Sequence, residues 1–250
     1  MNILLTNDDG IESEGLKTLA RVLSRDHRIM IVAPDGERSG KSHSISLGEP
    51  VRMRRMGENA LACGGTPADC VLFSILGAVP EKPDIVVSGI NRGPNLGTDI
   101  IYSGTAAAAR QAALMGYAAV AVSVTSFSPP YPYEVAAEFI RANIDVFRSL
   151  WTCDHFLNVN VPLGDPGSLG IEVTHPSRRI YNDRVLRFEA PNRDEYFFLT
   201  GSNAEARLED GSDWHAVTHG SISVSPVFLH PLNQAEDEAY RNTVFRKPEV

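Results

Sequence analysis

Cysteine is scarce in this chain. There are 3 in 250 residues, Cys63, Cys70 and Cys153, odd in number and with no CxxC or metal-type spacing. This excludes a disulfide framework and a thiolate zinc site, and leaves reduced, mostly buried thiols of a cytosolic protein as the expectation. No apolar run reaches the about 20 residues that cross a bilayer, and the first strand begins without a basic stretch before it. No membrane contact and a soluble, cytoplasmic protein are therefore expected. Excess positive charge is missing as well. With 23 Lys and Arg against 31 Asp and Glu the formal charge is −8, which argues against a nucleic-acid polymer as partner, because that contact needs a basic surface. An anionic substrate then requires a local metal or a cluster of amides. His43, His175, His215, His219 and His230 have no HExxH-like spacing and read as surface or core histidines. No repeat at a period of about 20–50 residues is present.

What is there is ordinary globular material, 43% hydrophobic and 22% charged, enough for a sizeable core in one large domain or a domain with an extension. The first half alternates short apolar runs with helical patterns. Strands are expected at Asn2–Thr6, Arg28–Val32, Asp84–Ser88, Ala118–Val124 and Phe156–Val161, without clean alternation, as suits strands covered on both faces. Helices are expected over about Ser13–Ser24, after Thr66-Pro67, from Ser103-Gly104-Thr105 to Gly116, and over about Glu134–Trp151. This order predicts a Rossmann-like, doubly wound, mainly parallel α/β sheet in residues 1–165. Residues 166–250 change style. Short β-like pieces (Gly170–Thr174, Tyr196–Thr200, Ser221–Ser225) lie between polar turns, and the last stretch is polar and partly helical. Such a region does not readily continue a parallel sheet, and reads as an extension of hairpins and tail that packs on the core or exchanges with another subunit.

Three of the expected strands end in polar loops. Asn7-Asp8-Asp9-Gly10 follows the first, Asp35 to Ser42 with Arg38-Ser39-Gly40 the second, and Gly89 to Gly97 with Asn91 and Asn95 the strand at 84–88. In a parallel sheet these ends share one edge, where ligands bind. Two adjacent carboxylates repel unless a cation or shared proton compensates. Asp8, Asp9, the hydroxyl of Ser39 and the amide oxygen of Asn91 are hard donors that suit Mg²⁺, Mn²⁺ or Ca²⁺ rather than Zn²⁺. The helix opening at Ser103-Gly104-Thr105 offers free N–H groups and a positive dipole end to an anion, with Asn95 as a further donor. A metal beside such a cradle suits phosphoryl transfer. Taken singly, each piece is also an ordinary turn or cap, and Arg178-Arg179 reads as a solvated or interface pair rather than a substrate clamp. The coincidence of the loops at one edge carries the functional reading.

These residues resemble the SurE family of survival-protein 5′-nucleotidases. The matching segments are Thr6-Asn-Asp-Asp-Gly10, Ala33-Pro-Asp35 with Arg38-Ser-Gly40, Gly65-Thr-Pro-Ala-Asp-Cys-Val71, Ser88-Gly-Ile-Asn91 with Gly93, Asn95, Gly97 and Asp99, and Tyr102-Ser-Gly-Thr-Ala-Ala-Ala108. The resemblance implies a divalent-metal-dependent phosphatase that hydrolyses nucleoside 5′-monophosphates, with one Mg²⁺ or Mn²⁺ per subunit. Its metal ligands fall on Asp8, Asp9, Ser39 and Asn91, and its phosphate contacts on Asn95, Ser103, Gly104 and Thr105. Asp8, Asp9 and Asn95 are the implied catalytic group, with either aspartate open as proton acceptor. It also implies a swapped C-terminal arm and a homodimer or homotetramer. Departures from the family pattern fall at Gly36-Glu37, Lys41, Gln111-Ala112 and Val227 to His230, and none is a proposed ligand. 3′-Nucleotides and short polyphosphate are further candidate substrates.

Three other readings use similar residues. A haloacid-dehalogenase-type phosphatase needs an Asp-x-Asp nucleophile, which Thr6-Asn7-Asp8-Asp9 lacks. A receiver-like module needs an aspartate after the third strand and a lysine after the fifth, where this chain has Asn91 and Asn-Val-Asn-Val-Pro. A non-catalytic nucleotide sensor would keep the same site.

Overall fold

The computed structural model describes residues 1–201, 205–206 and 209–230. Its strands are β1 (Asn2–Thr6), β2 (Arg28–Pro34), β3 (Met53–Gly57), β4 (Ala60–Cys63), β5 (Ile85–Arg92), β6 (Ala118–Val124), β7 (His155–Val161), β8 (Gly170–Val173), β9 (Arg179–Ile180), β10 (Asp183–Glu189), β11 (Glu195–Gly201), β12 (Glu205–Ala206) and β13 (Ser221–Phe228). The helices are α1 (Glu14–Leu23), α2 (Pro67–Phe73), α3 (Gly104–Leu114), α4 (Tyr133–Leu150) and α5 (Asp213–Thr218). A nine-stranded sheet runs in the order β3-β4-β2-β1-β5-β6-β7-β13-β8 among the described residues. From β4 through β7 all neighbours are parallel.

The chain winds from β1 toward β2 on one side and returns to β5 on the other, so the switch point lies at the carboxyl end of β1. Alternate residues of the central strands face opposite layers. Ile3, Leu5, Ile85, Val87, Val120 and Val122 meet the apolar stripes of α1 and α4, including Leu16, Leu19, Ile140 and Ile144. Leu4, Val86, Ala119 and Ala121 meet α2 and the alanines of α3. Small residues on both sides of that contact let α3 approach the sheet closely, which carries its N-terminus to the strand ends. The helix starts follow their side-chain caps. Ser13 accepts from the Leu16 N–H, Thr66 and Asp69 form a capping box with Pro67 in the first turn, and Ser103 accepts from the Ala106 N–H.

Two features differ from the sequence-based expectations. β3 and β4 form an antiparallel edge in a stretch with no strand expected; Arg54, Arg55 and Met56 are exposed there, so β3 lacks the apolar run that marks a buried strand. The region after residue 165 does rejoin the sheet. β13 pairs antiparallel with β7, and β8 pairs parallel with β13. Beyond Val224 no β8 residue pairs with β13, so Pro226, which has no N–H to give, sits where the strand is open on that side. β10 and β11 form a separate two-stranded hairpin rooted on the β9–β12 pair. The tail expected to be partly helical, residues 231–250, lies outside the described residues. Among the described residues no helix is long and apolar enough to cross a membrane.

Candidate active site

β1 is buried on both faces and delivers Asp8 and Asp9 to the sheet edge. Asn7 turns back to build the loop: its Nδ2 donates to the Gly10 carbonyl (2.9 Å) and to Ser13 Oγ (2.7 Å), and its Oδ1 accepts from the Gly10 N–H (3.2 Å). Gly10 has φ +99°, and a Cβ there would lie 3.1 Å from the backbone of Gly36, so the loops after β1 and β2 touch at two glycines. Backbone bonds lock this contact, from the Ile11 N–H to the Pro34 carbonyl (2.8 Å) and from the Arg38 N–H to the Asp8 carbonyl (2.7 Å).

Asp8 is 4% exposed. Thr105 donates its hydroxyl to Asp8 Oδ1. Burial pushes the Asp8 carboxyl above the usual carboxylate range, and the Thr105 hydrogen bond opposes that shift. Asp9 Oδ2 accepts the Arg92 N–H at 3.2 Å, and burial together with the charge of Asp8 pushes Asp9 up to about 6. The pair is thus held close in a poorly solvated place, where a bound cation relieves both the repulsion and the lost solvation.

Asn91 reaches the same edge through a register shift in β5 between Ser88 and Asn91, a bulge that re-aims the side chain. Its Nδ2 donates to the Gly93 carbonyl (2.8 Å), which leaves Oδ1 as the acceptor of that side chain. Ser39 is exposed and donates to Glu37 Oε1 (3.0 Å), so its proton is occupied while its lone pairs stay available. It follows directly on Arg38, whose N–H reaches Asp8. These donors, two carboxylates and two neutral oxygens, fit a hard divalent cation with positions left for water and substrate. Among the described residues no group of three or more His, Cys, Asp or Glu offers a competing centre.

The cradle shares Asp8 with that set. A Cβ on Gly104 would lie 2.8 Å from Asp8 Cβ and 3.1 Å from Pro67 Cγ, so only glycine lets α3 open this close to β1. Ser103 Oγ is occupied as a cap acceptor and keeps its proton to donate. The Thr105 hydroxyl is committed to Asp8, and the N–H groups of Thr105 and Gly104 also act on that carboxylate and pull its pKa down. Asn95 is 7% exposed and belongs to a buried network: its N–H donates to Asn160 Oδ1 (2.9 Å), its Nδ2 to Ser123 Oγ (2.8 Å), and its carbonyl accepts from Asn158 and Asn160 (2.8 and 3.0 Å).

Sequence reasoning did not single out Ser123, Asn158 or Asn160. Two asparagines at i and i+2 in an otherwise apolar strand were the available signal, since that spacing puts both on one face. Asp69 was also unassigned. It is fully buried and holds Ser46 through both its N–H (2.8 Å) and its hydroxyl (2.7 Å), which fixes the loop after Ser39. Of the arginine pair, Arg178 is exposed as expected, but the Arg179 side chain is only 5% exposed and is not solvated.

An open, doubly wound α/β sheet with two adjacent carboxylates at its switch point and a helix N-terminus alongside defines a Rossmann-like α/β protein. Residues 3–183 match the family described as survival protein SurE, and the chain belongs to that family. It is 41% identical over 235 residues to the 5′-nucleotidase SurE of Geotalea daltonii (93% of this chain, 95% of that protein). It is 39% identical over 241 residues to the 5′-nucleotidase SurE of Thermosipho melanesiensis (94% of each). The crystal structure of the SurE protein from Aquifex aeolicus superposes with a TM-score of 0.84 at 33% identity, covering 96% of this chain and 98% of that one.

Proposed function

We propose that this protein is a 5′-nucleotidase, a divalent-metal-dependent phosphomonoesterase that converts nucleoside 5′-monophosphates to nucleoside and phosphate. The observation that carries the reading is the sharing of Asp8 between the donor set and the cradle, through Thr105 and the close approach of Gly104. Asp8, Asp9, Ser39 and Asn91 would hold the cation, with Mg²⁺ or Mn²⁺ as the expected ion, one per subunit. When bound, it neutralises phosphoryl oxygens and lowers the pKa of a coordinated water.

The chain's own residues supply the rest. Ser103 Oγ and the N–H groups of Gly104 and Thr105 bind the remaining phosphoryl oxygens as negative charge grows on them. Asn95 positions the loop that leads into the cradle, and its Oδ1 has no partner among the described residues. The attacking water loses its proton to a carboxylate of the Asp8–Asp9 pair. Each already accepts a hydrogen bond, and Asp9 is the better placed because it is the less buried of the two. The new P–O bond forms as the ester P–O bond breaks, and the leaving nucleoside oxygen takes its proton from solvent. 3′-Nucleotides and short polyphosphate fit the same chemistry as secondary substrates.

The β10–β11 hairpin supports an oligomer, a dimer or tetramer. Val185, Phe188, Phe197, Phe198 and Leu199 are all more than half exposed along it, on both of its faces, which a stable monomer does not leave bare. Two buried free thiols, Cys63 and Cys70, support a cytoplasmic setting. The test is phosphate release from a panel of nucleotides with Mg²⁺, Mn²⁺ or Ca²⁺. Metal-dependent release that stops with a chelator is the expected outcome. No release, or a trapped aspartyl-phosphate, overturns the reading in favour of a nucleotide sensor or a haloacid-dehalogenase-type enzyme.

A further inference from the structure

Arg179 is a buried cation for which the reaction above has no use. Its Nε lies 3.2 Å from Asp99 Oδ2, an ion-pair contact without hydrogen-bond alignment, and its guanidinium carbon stands 4.2 Å from the centre of the Trp214 ring. Its backbone N–H donates to Thr98 Oγ1 (3.3 Å). Asp99 Oδ1 accepts the Tyr181 hydroxyl at 2.5 Å, so both oxygens of this carboxylate face groups from the β9 segment. The Asp99 carbonyl in turn accepts the N–H groups of Tyr102 (2.9 Å) and Ser103 (3.2 Å). Those are the two amides that precede the N–H groups of Gly104 and Thr105.

A second tie holds the same turn further upstream. The fully buried Asp213 accepts the Gly97 N–H on Oδ2 (2.7 Å) and the N–H groups of Ser177 (2.9 Å) and Trp214 (2.8 Å) on Oδ1. A Cβ on Gly97 would collide with the Ser177 carbonyl oxygen. Residues 97–101, one 3-10 turn, are therefore pinned at Gly97, Thr98 and Asp99 by the C-terminal region, while Ser42 donates its hydroxyl to the Ile101 carbonyl at the other end (2.6 Å).

A buried ion pair contributes little to stability compared with apolar packing of the same volume. What a planar guanidinium on an aromatic face adds is a fixed direction. We infer that Arg179, with Tyr181, is a positioning residue: it orients Asp99, and through the Asp99 carbonyl it sets the aim of the amides that open the anion cradle. The inference rests on the reading of Ser103–Thr105 as that cradle. Misplacing catalytic donors by about 1 Å is enough to lose most of their effect.

The experiment compares full-length wild type with Arg179→Met and Tyr181→Phe. Binding of inorganic phosphate is measured by calorimetry in the presence of Mg²⁺, and Mg²⁺ affinity and KM and kcat for AMP are measured separately. Arg179→Met is expected to weaken phosphate binding and raise KM at least tenfold. Tyr181→Phe, which removes one hydroxyl, is expected to do so about threefold, with Mg²⁺ affinity within twofold of wild type for both. A merely structural role would lower the active fraction, and so apparent kcat, with phosphate affinity and KM unchanged. That result overturns the inference, as does a parallel loss of Mg²⁺ affinity. If Arg179→Met does not fold, Tyr181→Phe decides alone. Wild-type protein that binds no phosphate overturns the cradle reading and this one together. An active, phosphate-binding wild type with unaltered variants overturns only the positioning role.

Discussion

At the scale of single residues, the candidate site is a set of commitments already made. Asp8 Oδ1 is taken by Thr105, the Ser39 proton by Glu37, and the Asn91 amide nitrogen by Gly93. What is left over on these side chains is carboxylate and hydroxyl lone pairs and one amide oxygen, acceptors only. Replacing Asp8 or Asp9 by asparagine is expected to lower kcat/KM by about 100-fold or more, the scale of one lost electrostatic contact in a transition state, with circular dichroism unchanged. Near-wild-type turnover in both variants would remove the pair from the mechanism. Gly104→Ala forces a methyl group to 2.8 Å from Asp8 Cβ. The expected result is a loss of roughly 1–3 kcal/mol by urea denaturation, in the range for overpacking, together with weaker metal binding by calorimetry. The place of Asp8 and Asp9 was legible in the sequence because they stand just past the end of β1, where position along the chain fixes position in space, whereas Asn91 lies within β5 beyond a bulge that no sequence pattern announces. Arg179 was not: a pair of arginines in a polar stretch looks solvated until the aspartate and tryptophan that cover it are known, and both are distant in sequence.

At the scale of elements, β5 and β7 do the positioning. β5 gives up regular register to turn Asn91 toward the site, and β7 spends two buried positions on asparagines that hold Asn95. Asn160→Ala strands the Asn95 N–H and removes a donor to its carbonyl. It is expected to cost roughly 1–3 kcal/mol in thermal or urea unfolding, the penalty of an unsatisfied buried amide, and to raise KM through the displaced loop. Unfolding without a change in KM would show that the network supports the core alone. The five buried parallel strands were readable from their apolar runs, and so were the helices that carry good caps. The edge strand β3 was not, because exposed arginines hide its period. The place of β13 was not either, because a proline and a ladder of serines conceal a strand whose buried hydroxyls satisfy one another, as Thr174 does with Ser223 (2.8 Å) and Ser225 (2.6 Å).

At the scale of the whole molecule, the sheet gathers its polar loops at one end of the strands, and among the described residues the β10–β11 hairpin exposes a run of large apolar side chains. Phe197→Glu, at a position 61% exposed, is expected to shift the protein to a smaller species in light scattering, since a charge cannot be desolvated in an interface without a partner. An unchanged mass would free the hairpin from assembly. That hairpin leaves the body directly after Tyr181 and its chain comes back to Trp214, the two residues that bracket Arg179 and Asp99. Its root is therefore tied to the turn that opens the anion cradle. If the arm is an assembly surface, whatever steadies it also steadies the amides at Tyr102 and Ser103, and specific activity is expected to fall on dilution and return on concentration, which a dilution series of the phosphatase assay checks.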